Sequence, residues 1–287
     1  MAARWRGQPH RLEVWYATMT DSTTGTGGWV HHEVVAPAAG GGEPYQHGWT
    51  ALFPVDGDPV IERYGPDPVR GSDDVRVPQV MTSARGSRPL YTFPRWAWER
   101  EVLPGAQVVA VPDARFEGVL EACGARLELG DAVGNVARIY GHGNARRWGW
   151  LHADLGGGDV LEIVAGALNR RGVTWVPPVS LVQLRAGGRD WPRDPLAAAP
   201  LFRARLGLPR WRVRGTVGRH RLRVEVDIPA DRSVAVPYAD PDGAPATCTN
   251  SERATAEIVL ERWRRRWETE KHWSLSGTAH AEIGTRP

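Results

Sequence analysis

Residues 140–155 read YGHGNARRWGWLHADL. A glycine-rich turn gives way at Trp148 to strict alternation. Trp148, Trp150, His152 and Asp154 fall on one face, and Gly149, Leu151, Ala153 and Leu155 on the other, because side chains two apart in a strand share a face. A strand that is apolar on one side and aromatic-polar on the other can close a core and present chemistry to a ligand. The turn before it holds His142 between Gly141 and Gly143, where the backbone can bend tightly. Asn144 follows, either to hold a ligand carbonyl or hydroxyl or, as a turn residue, to bond its own backbone.

Outward from this stretch the pattern repeats. The chain has 287 residues, and its 33 glycines and 23 prolines punctuate it into short strand-like runs. In the first half these are 11–19, 28–36, 47–55, 59–64, 75–82, 90–101, 106–121 and 125–139. In the second they are 148–155, 160–168, 174–185, 211–217, 220–228, 232–238, 254–263 and 272–283. Eight antiparallel strands make a barrel filled by side chains or holding one small ligand. The expectation is an all-β protein of two consecutive antiparallel barrels, residues 1–143 and 144–287. Strand–helix alternation is absent, which argues against a parallel α/β sheet. Only 194–208 reads as a short helix, interrupted by Pro200.

Composition narrows the partners. Hydrophobic residues make up 41%, enough for a core and too many for a disordered chain. No apolar run approaches the ~20 residues of a membrane helix, and the N-terminus lacks a signal-peptide core, so a cytoplasmic protein without a membrane span is expected. Cys123 and Cys248 are expected to be reduced, structural thiols. The net charge is +3. The densest basic cluster, Arg262 and Arg264 to Arg266 around Trp263 and Trp267, could bind single strands. Glu257, Glu261, Glu268 and Glu270 nearly cancel it, so no nucleic-acid partner is expected. Glycine runs lack the strand–GxGxxG–helix context of a dinucleotide site and no Walker-type lysine follows them. There is no G-x-S-x-G. No organic cofactor is expected.

Three segments carry a resemblance. They are Gly28-Trp29-Val30-His31-His32-Glu33 with His47-Gly48-Trp49-Thr50-Ala51-Leu52-Phe53; Tyr140 through Trp150; and Gly277-Thr278-Ala279-His280-Ala281-Glu282-Ile283-Gly284. Together they resemble the tandem lipocalin-like (calycin) superfamily of tocopherol cyclase, carotenoid 1,2-hydratase (hydroxyneurosporene synthase) and decalin-forming Diels–Alderases. The first pair looks like the strands opening the first barrel, the second like the opening of the second barrel, and the third like a closing strand with its glutamate-x-glycine ending. The resemblance implies two lipocalin-like barrels with a greasy cleft in or between them. It implies a cofactor-independent cyclase, isomerase or hydratase acting on an isoprenoid, polyene or polyketide, or else a carrier of a hydrophobic small molecule. The oligomeric state stays open.

Candidate site residues follow from chemistry and spacing. Alternation sets Trp29, His31 and Glu33 on one face, so adjacent His31 and His32 cannot share a metal, and no metal site is expected. His31 or Glu33 donates a proton in a pocket, or is a hydrogen-bonded residue at a barrel mouth. His280 and Glu282 share a face. Burial would raise the Glu282 carboxyl and make it a usable acid, unless an arginine pairs with it. Glu162 is a weaker candidate of the same kind. The candidate catalytic groups are thus His142, His280, Glu282 and Glu33. Trp49, Trp148, Trp150 and Trp175, with His31, Asn144 and His152, are candidates to line the substrate cleft, since ring faces suit polyenes and transient cations.

Overall fold

The computed structural model describes residues 3–77, 82–83, 88–101, 103–167 and 177–286. Two antiparallel sheets account for the architecture. The first contains β1 (Arg11–Asp21), β2 (Gly27–Ala36), β3 (Tyr45–Phe53), β4 (Val60–Pro68), β5 (Thr82–Ser83), β6 (Gly105–Ala122) and β7 (Ala125–Gly141), in the order β4-β3-β2-β1-β7-β6-β5. The second contains β8 (Arg147–Gly156), β9 (Asp159–Ala167), β10 (Val179–Ala186), β11 (Arg189–Trp191), β12 (Phe202–Arg205), β13 (Arg210–Val217), β14 (His220–Asp227), β15 (Val234–Ala239), β16 (Pro245–Trp263) and β17 (Trp267–Thr285). Its order is β11-β10-β9-β8-β17-β16-β14-β13-β12, with β15 on β16. The two sheets are wired alike. Four strands meander outward, and a long last strand, β7 or β17, returns beside the first strand of its own sheet.

Each sheet buries one face in a core of its own. In the second sheet Leu151, Leu161, Ile163, Val182, Trp211, Ile258 and Ile283 form that core. In the first, Met19, Phe116 and Leu127 fill one end and Trp5, Trp15, Val34 and Tyr140 the other. Full burial of each such side chain stabilises by about 1.5–3 kcal/mol. The β6–β7 hairpin reaches β4, where Cys123 N donates to Glu62 Oε2 at 2.7 Å. The opposite faces meet each other. Leu12, Val14 and Tyr16 pack on Trp150 and Val160, and Trp29, Trp49 and Phe53 pack on Trp148, Tyr238 and Cys248. The alternation read at 148–155 thus separates a core face from a face turned to the other sheet. Both cysteines are free, Cys123 exposed and Cys248 buried.

Two expectations need correction, and a third is shortened. Residues 90–101 are not a strand: after a lone bridge at Leu90 the chain forms α1 (Arg95–Arg100). Pro94 supplies a compatible start, and the Arg95–Glu99 pair at 2.7 Å supports the turn. In 75–82 a single turn of 3-10 helix at Ser72–Asp74 precedes the segment, and only Thr82 is paired; 78–81 lie outside the described residues. The helix in 194–208 is α2 (Pro195–Ala198), where Asp194 caps Leu196 N and Ala197 N, followed by a 3-10 turn at Ala199–Leu201 and then β12. Trp175 lies outside the described residues. Among the described residues no helix is long and apolar enough to cross a membrane.

Candidate active site

The chemistry-bearing residues gather where the sheets face each other. From β1 come Tyr16, Thr18 and Thr20; from β2 and β3, Trp29, His31, Glu33, His47 and Trp49. Opposite stand Trp148, Trp150 and His152 on β8, Glu162 on β9, Tyr238 on β15, Cys248 and Asn250 on β16, and His280 and Glu282 on β17. All are buried except Glu282, which is half-buried.

Five aromatic side chains and Glu282 close a ring. Tyr16 meets Trp150 edge-on, with ring centroids 5.3 Å apart, and stacks on His31 at 6.5 Å. His31 stacks on Tyr238 at 5.4 Å, and Tyr238 on Trp148 at 6.3 Å. Trp148 Nε1 donates to Glu282 Oε1 at 2.7 Å, and strand register sets Glu282 opposite Trp150. His31, Tyr16, Trp148, Trp150 and Tyr238 keep 5–8% exposure, whereas Leu151, Leu161 and Ile163 behind them have none. Glu282 is deep in the protein yet half-buried by surface. The ring residues are thus slightly less enclosed than the core behind them.

Two carboxyls at this ring are driven in opposite directions. Burial raises Glu282 above the ordinary carboxyl value, bonds from Trp148 and Cys248 pull it partly back, and nearby Glu162 adds to the rise. Cys248 Sγ lies 3.4 Å from Glu282 Oε2. Among the described residues no arginine pairs with Glu282. Burial would also raise Glu33, but His31 and His47 more than offset it and hold Glu33 down at about 2. His47 Nε2 is 2.6 Å from Glu33 Oε1, a charge contact off the hydrogen-bond direction; His31 Nε2 is 3.4 Å from Glu33 Oε2. Glu33 is consequently a fixed negative charge at neutral pH, whereas Glu282 keeps its proton to higher pH than an ordinary carboxyl. Among the described residues no group of three or more His, Cys, Asp or Glu is placed to hold a metal ion.

Beside the ring runs a second polar row. Glu162 Oε1 accepts from Trp150 Nε1 at 2.5 Å and from Gln107 Nε2 at 2.8 Å, and its Oε2 is 3.0 Å from His152 Nδ1. Gln107 Nε2 also donates to Tyr16 Oη. His280 has both nitrogens engaged across the interface, Nδ1 by Thr18 Oγ1 and Nε2 by Thr20 Oγ1 at 2.9 Å. Glu252 Oε2 is 3.2 Å from His280 Nδ1. Burial, then proximity to His152, pushes His280 well below the usual imidazole range. Burial raises Glu252, and Glu282 adds to this against an opposing bond from Asn250.

The structure thus brings together His31, Glu33, Trp49, Trp148, Trp150, His152, His280 and Glu282 from the sequence candidates. It leaves out two. His142 is exposed; its Nδ1 lies 2.9 Å from Arg11 Nη1 and 3.0 Å from His10 O, in a surface depression of about 10 Å³ beside Trp98 and Tyr140. Asn144 donates from its backbone N and Nδ2 to Asp240 Oδ1, at 2.9 and 2.8 Å, which makes it a clamp on the β15–β16 turn. Glycines around the first and a polar neighbourhood around the second suit a surface turn equally well. Sequence reasoning missed Tyr16, Tyr238, Gln107 and Cys248. The alternation Tyr16, Thr18, Thr20 in β1 was available as a signal for the first; nothing local marked the other three.

Comparison with known proteins agrees with this architecture. The tocopherol cyclase-like family matches residues 79–285. The uncharacterized protein Rv0493c of Mycobacterium tuberculosis strain H37Rv is 45% identical over 303 residues, spanning 99% of this chain and 89% of its own. The uncharacterized protein MT0513 of strain CDC 1551 matches equally. Among solved structures, kievitone hydratase from Nectria haematococca superposes with a TM-score of 0.54 at 11% identity, covering 97% of this chain and 90% of that one. This likeness is one of fold, the all-β lipocalin-like arrangement that the two sheets display. By the extent of the family match and the 45% relatives, the chain belongs to the tocopherol cyclase-like family.

Proposed function

We propose that the chain is a cyclase or hydratase-type enzyme for a hydrophobic isoprenoid, polyene or polyketide, acting by shape control and acid assistance from Glu282. The observation that carries this is the position of Glu282: deep between the sheets, without an arginine partner among the described residues, raised by burial and enclosed by aromatic faces. A flexible substrate held in the ring is folded toward a reactive shape, which contributes through proximity and orientation. The Glu282 carboxyl then transfers its proton to an alkene carbon or a carbonyl oxygen. A C–H or O–H bond forms and the carboxylate remains. The resulting positive charge is sheltered by Tyr16, Trp148, Trp150 and Tyr238, whose ring faces are electronegative, and by the fixed charge of Glu33. Capture of the cation by a hydroxyl or water oxygen forms a C–O bond and releases the O–H proton. Capture by a second alkene forms a C–C bond and a new cation, which then loses a C–H proton. Either proton restores Glu282.

The family's description and the fold shared with a hydratase support a reaction of this class. The test is incubation in D2O with a panel of a prenylated hydroquinone, a linear polyene and an unsaturated polyketide chain. The expected result is conversion of at least one member with one deuterium on carbon, abolished in Glu282→Gln. Binding of the panel with no conversion would instead mark a carrier. Conversion undiminished in Glu282→Gln would remove Glu282 from the mechanism.

A further inference from the structure

The acid reading uses one side of the interface and leaves a cluster on the other unexplained. Glu162 accepts Trp150 Nε1, Gln107 Nε2 and His152 Nδ1. Gln107 is itself fixed, because its Oε1 accepts from Thr92 Oγ1 at 3.0 Å. With Glu162 as acceptor, the proton of a neutral His152 sits on Nδ1 and its Nε2 carries the lone pair. That Nε2 is buried and has no hydrogen-bond partner within the protein. His152 itself is 1% exposed.

The strand register shows what it faces. Thr18 pairs with Asn135, and His280 pairs with His152. Thr18 bonds His280 across the interface, and the next strands of the two sheets, β7 carrying Asn135 and β8 carrying His152, also contact each other. Asn135 is fully buried, and both its Oδ1 and its Nδ2 also lack a partner. Buried polar groups are nearly always satisfied, and leaving one unmade costs about 1–3 kcal/mol. Three such atoms on contacting strands suit a small oxygen species that both donates and accepts. A histidine with one nitrogen held by a carboxylate and the other bare is the arrangement of a general base.

We propose that His152, positioned by Glu162, is the base that takes the proton from the oxygen nucleophile, water or a substrate hydroxyl, held between it and Asn135. The proposal rests on the reading of Glu282 as acid. Glu282 and His152 are diagonal neighbours on one face of β17 and β8, with backbone positions about 7–8 Å apart, so acid and base would address the same bound substrate. Glu282 gives its proton to one alkene carbon. The oxygen lone pair forms a C–O bond to the other, and its O–H proton passes to Nε2. Return of that proton to the Glu282 carboxylate completes the cycle. With water the net result is hydration; with a substrate hydroxyl it is ring closure without change of formula.

Two measurements test this separately from the acid. Nitrogen-15 NMR of the imidazoles in the wild-type protein is expected to place the His152 proton on Nδ1 with Nε2 bare; a proton on Nε2 overturns the proposal whether or not any substrate is found. With a converted member of the panel, His152→Gln and Glu162→Gln are expected to lower kcat by about 10²–10⁴-fold with KM little changed. A wild-type kcat in folded His152→Gln would also overturn it. Failure of the acid reading looks different: conversion proceeds without dependence on Glu282.

Discussion

Glu282 and Glu33 sit on facing sheets, yet burial decides one and histidines decide the other. Because the Glu282 carboxyl is raised, its acid form persists above the ordinary carboxylate range. Activity is accordingly expected to fall on the alkaline side as that proton is lost, and a pH–rate profile checks it. The glutamate-x-glycine ending of the last strand has a physical cause. A Cβ at Gly284 would lie 1.9 Å from Cζ2 of Trp148, the side chain that donates to Glu282. Gly284→Ala is expected to cost about 1–3 kcal/mol by overpacking and to displace the indole; urea unfolding and the Trp148 fluorescence report both. His32 gives a further check on the opposite face of β2. Burial, then neighbouring His31, holds it down at about 4. Its imidazole is expected to stay neutral in an NMR titration until pH is near 4, and titration close to 6.5 would contradict the packing against Trp15 and Tyr64.

At the scale of elements, β1 and β17 are stitched together by Thr18, Thr20 and His280. With both nitrogens so engaged, we propose that His280 acts mainly to align the sheets. Thr18→Val is expected to destabilise by about 1–3 kcal/mol, as a buried imidazole nitrogen loses its partner, with kcat nearly unchanged; denaturant unfolding beside a rate assay separates the two. Alternation made these faces legible. From Trp148 to Leu155 and from Thr278 to Ile283 the sequence pattern already separated core from interface, because a strand has period two. What it could not supply was which strands of the other sheet lie opposite, since Tyr238 and Gln107 join the site through pairings distant in sequence. It also misplaced α1, where Trp96 and Trp98 alternate although Trp96 is exposed, and His142, whose glycine-flanked turn serves the surface.

For the whole molecule, the interface joins the two sheets and holds the proposed site. The strands of the first sheet end at Gly141 and those of the second begin at Arg147. We propose this junction as the boundary between two lipocalin-like units that need each other. A protein split after Gly143 is expected to give two fragments that recover a 1:1 complex when co-expressed and aggregate when made singly. Each alone would expose its half of the interface, Tyr16, His31 and Trp49 or Trp148, Trp150 and Tyr238. Size-exclusion chromatography distinguishes this from two fragments that are soluble alone. The buried carboxyl Glu252 also makes a stability prediction. Its folded value is raised, so the stability it contributes is full below about 4.5 and is lost as pH rises toward the folded value. Relative to wild type, Glu252→Gln is therefore expected to gain stability as pH increases from 5 to 9.

The central claim is that Glu282, its carboxyl raised by burial, keeps its proton above the ordinary carboxyl range inside the aromatic ring. The most direct measurement is the infrared difference spectrum between wild type and Glu282→Gln, recorded just above the pH at which an ordinary carboxyl is ionised. The account predicts that the wild type carries a carboxylic-acid C=O stretch that the variant lacks. A difference spectrum containing only carboxylate bands would contradict it.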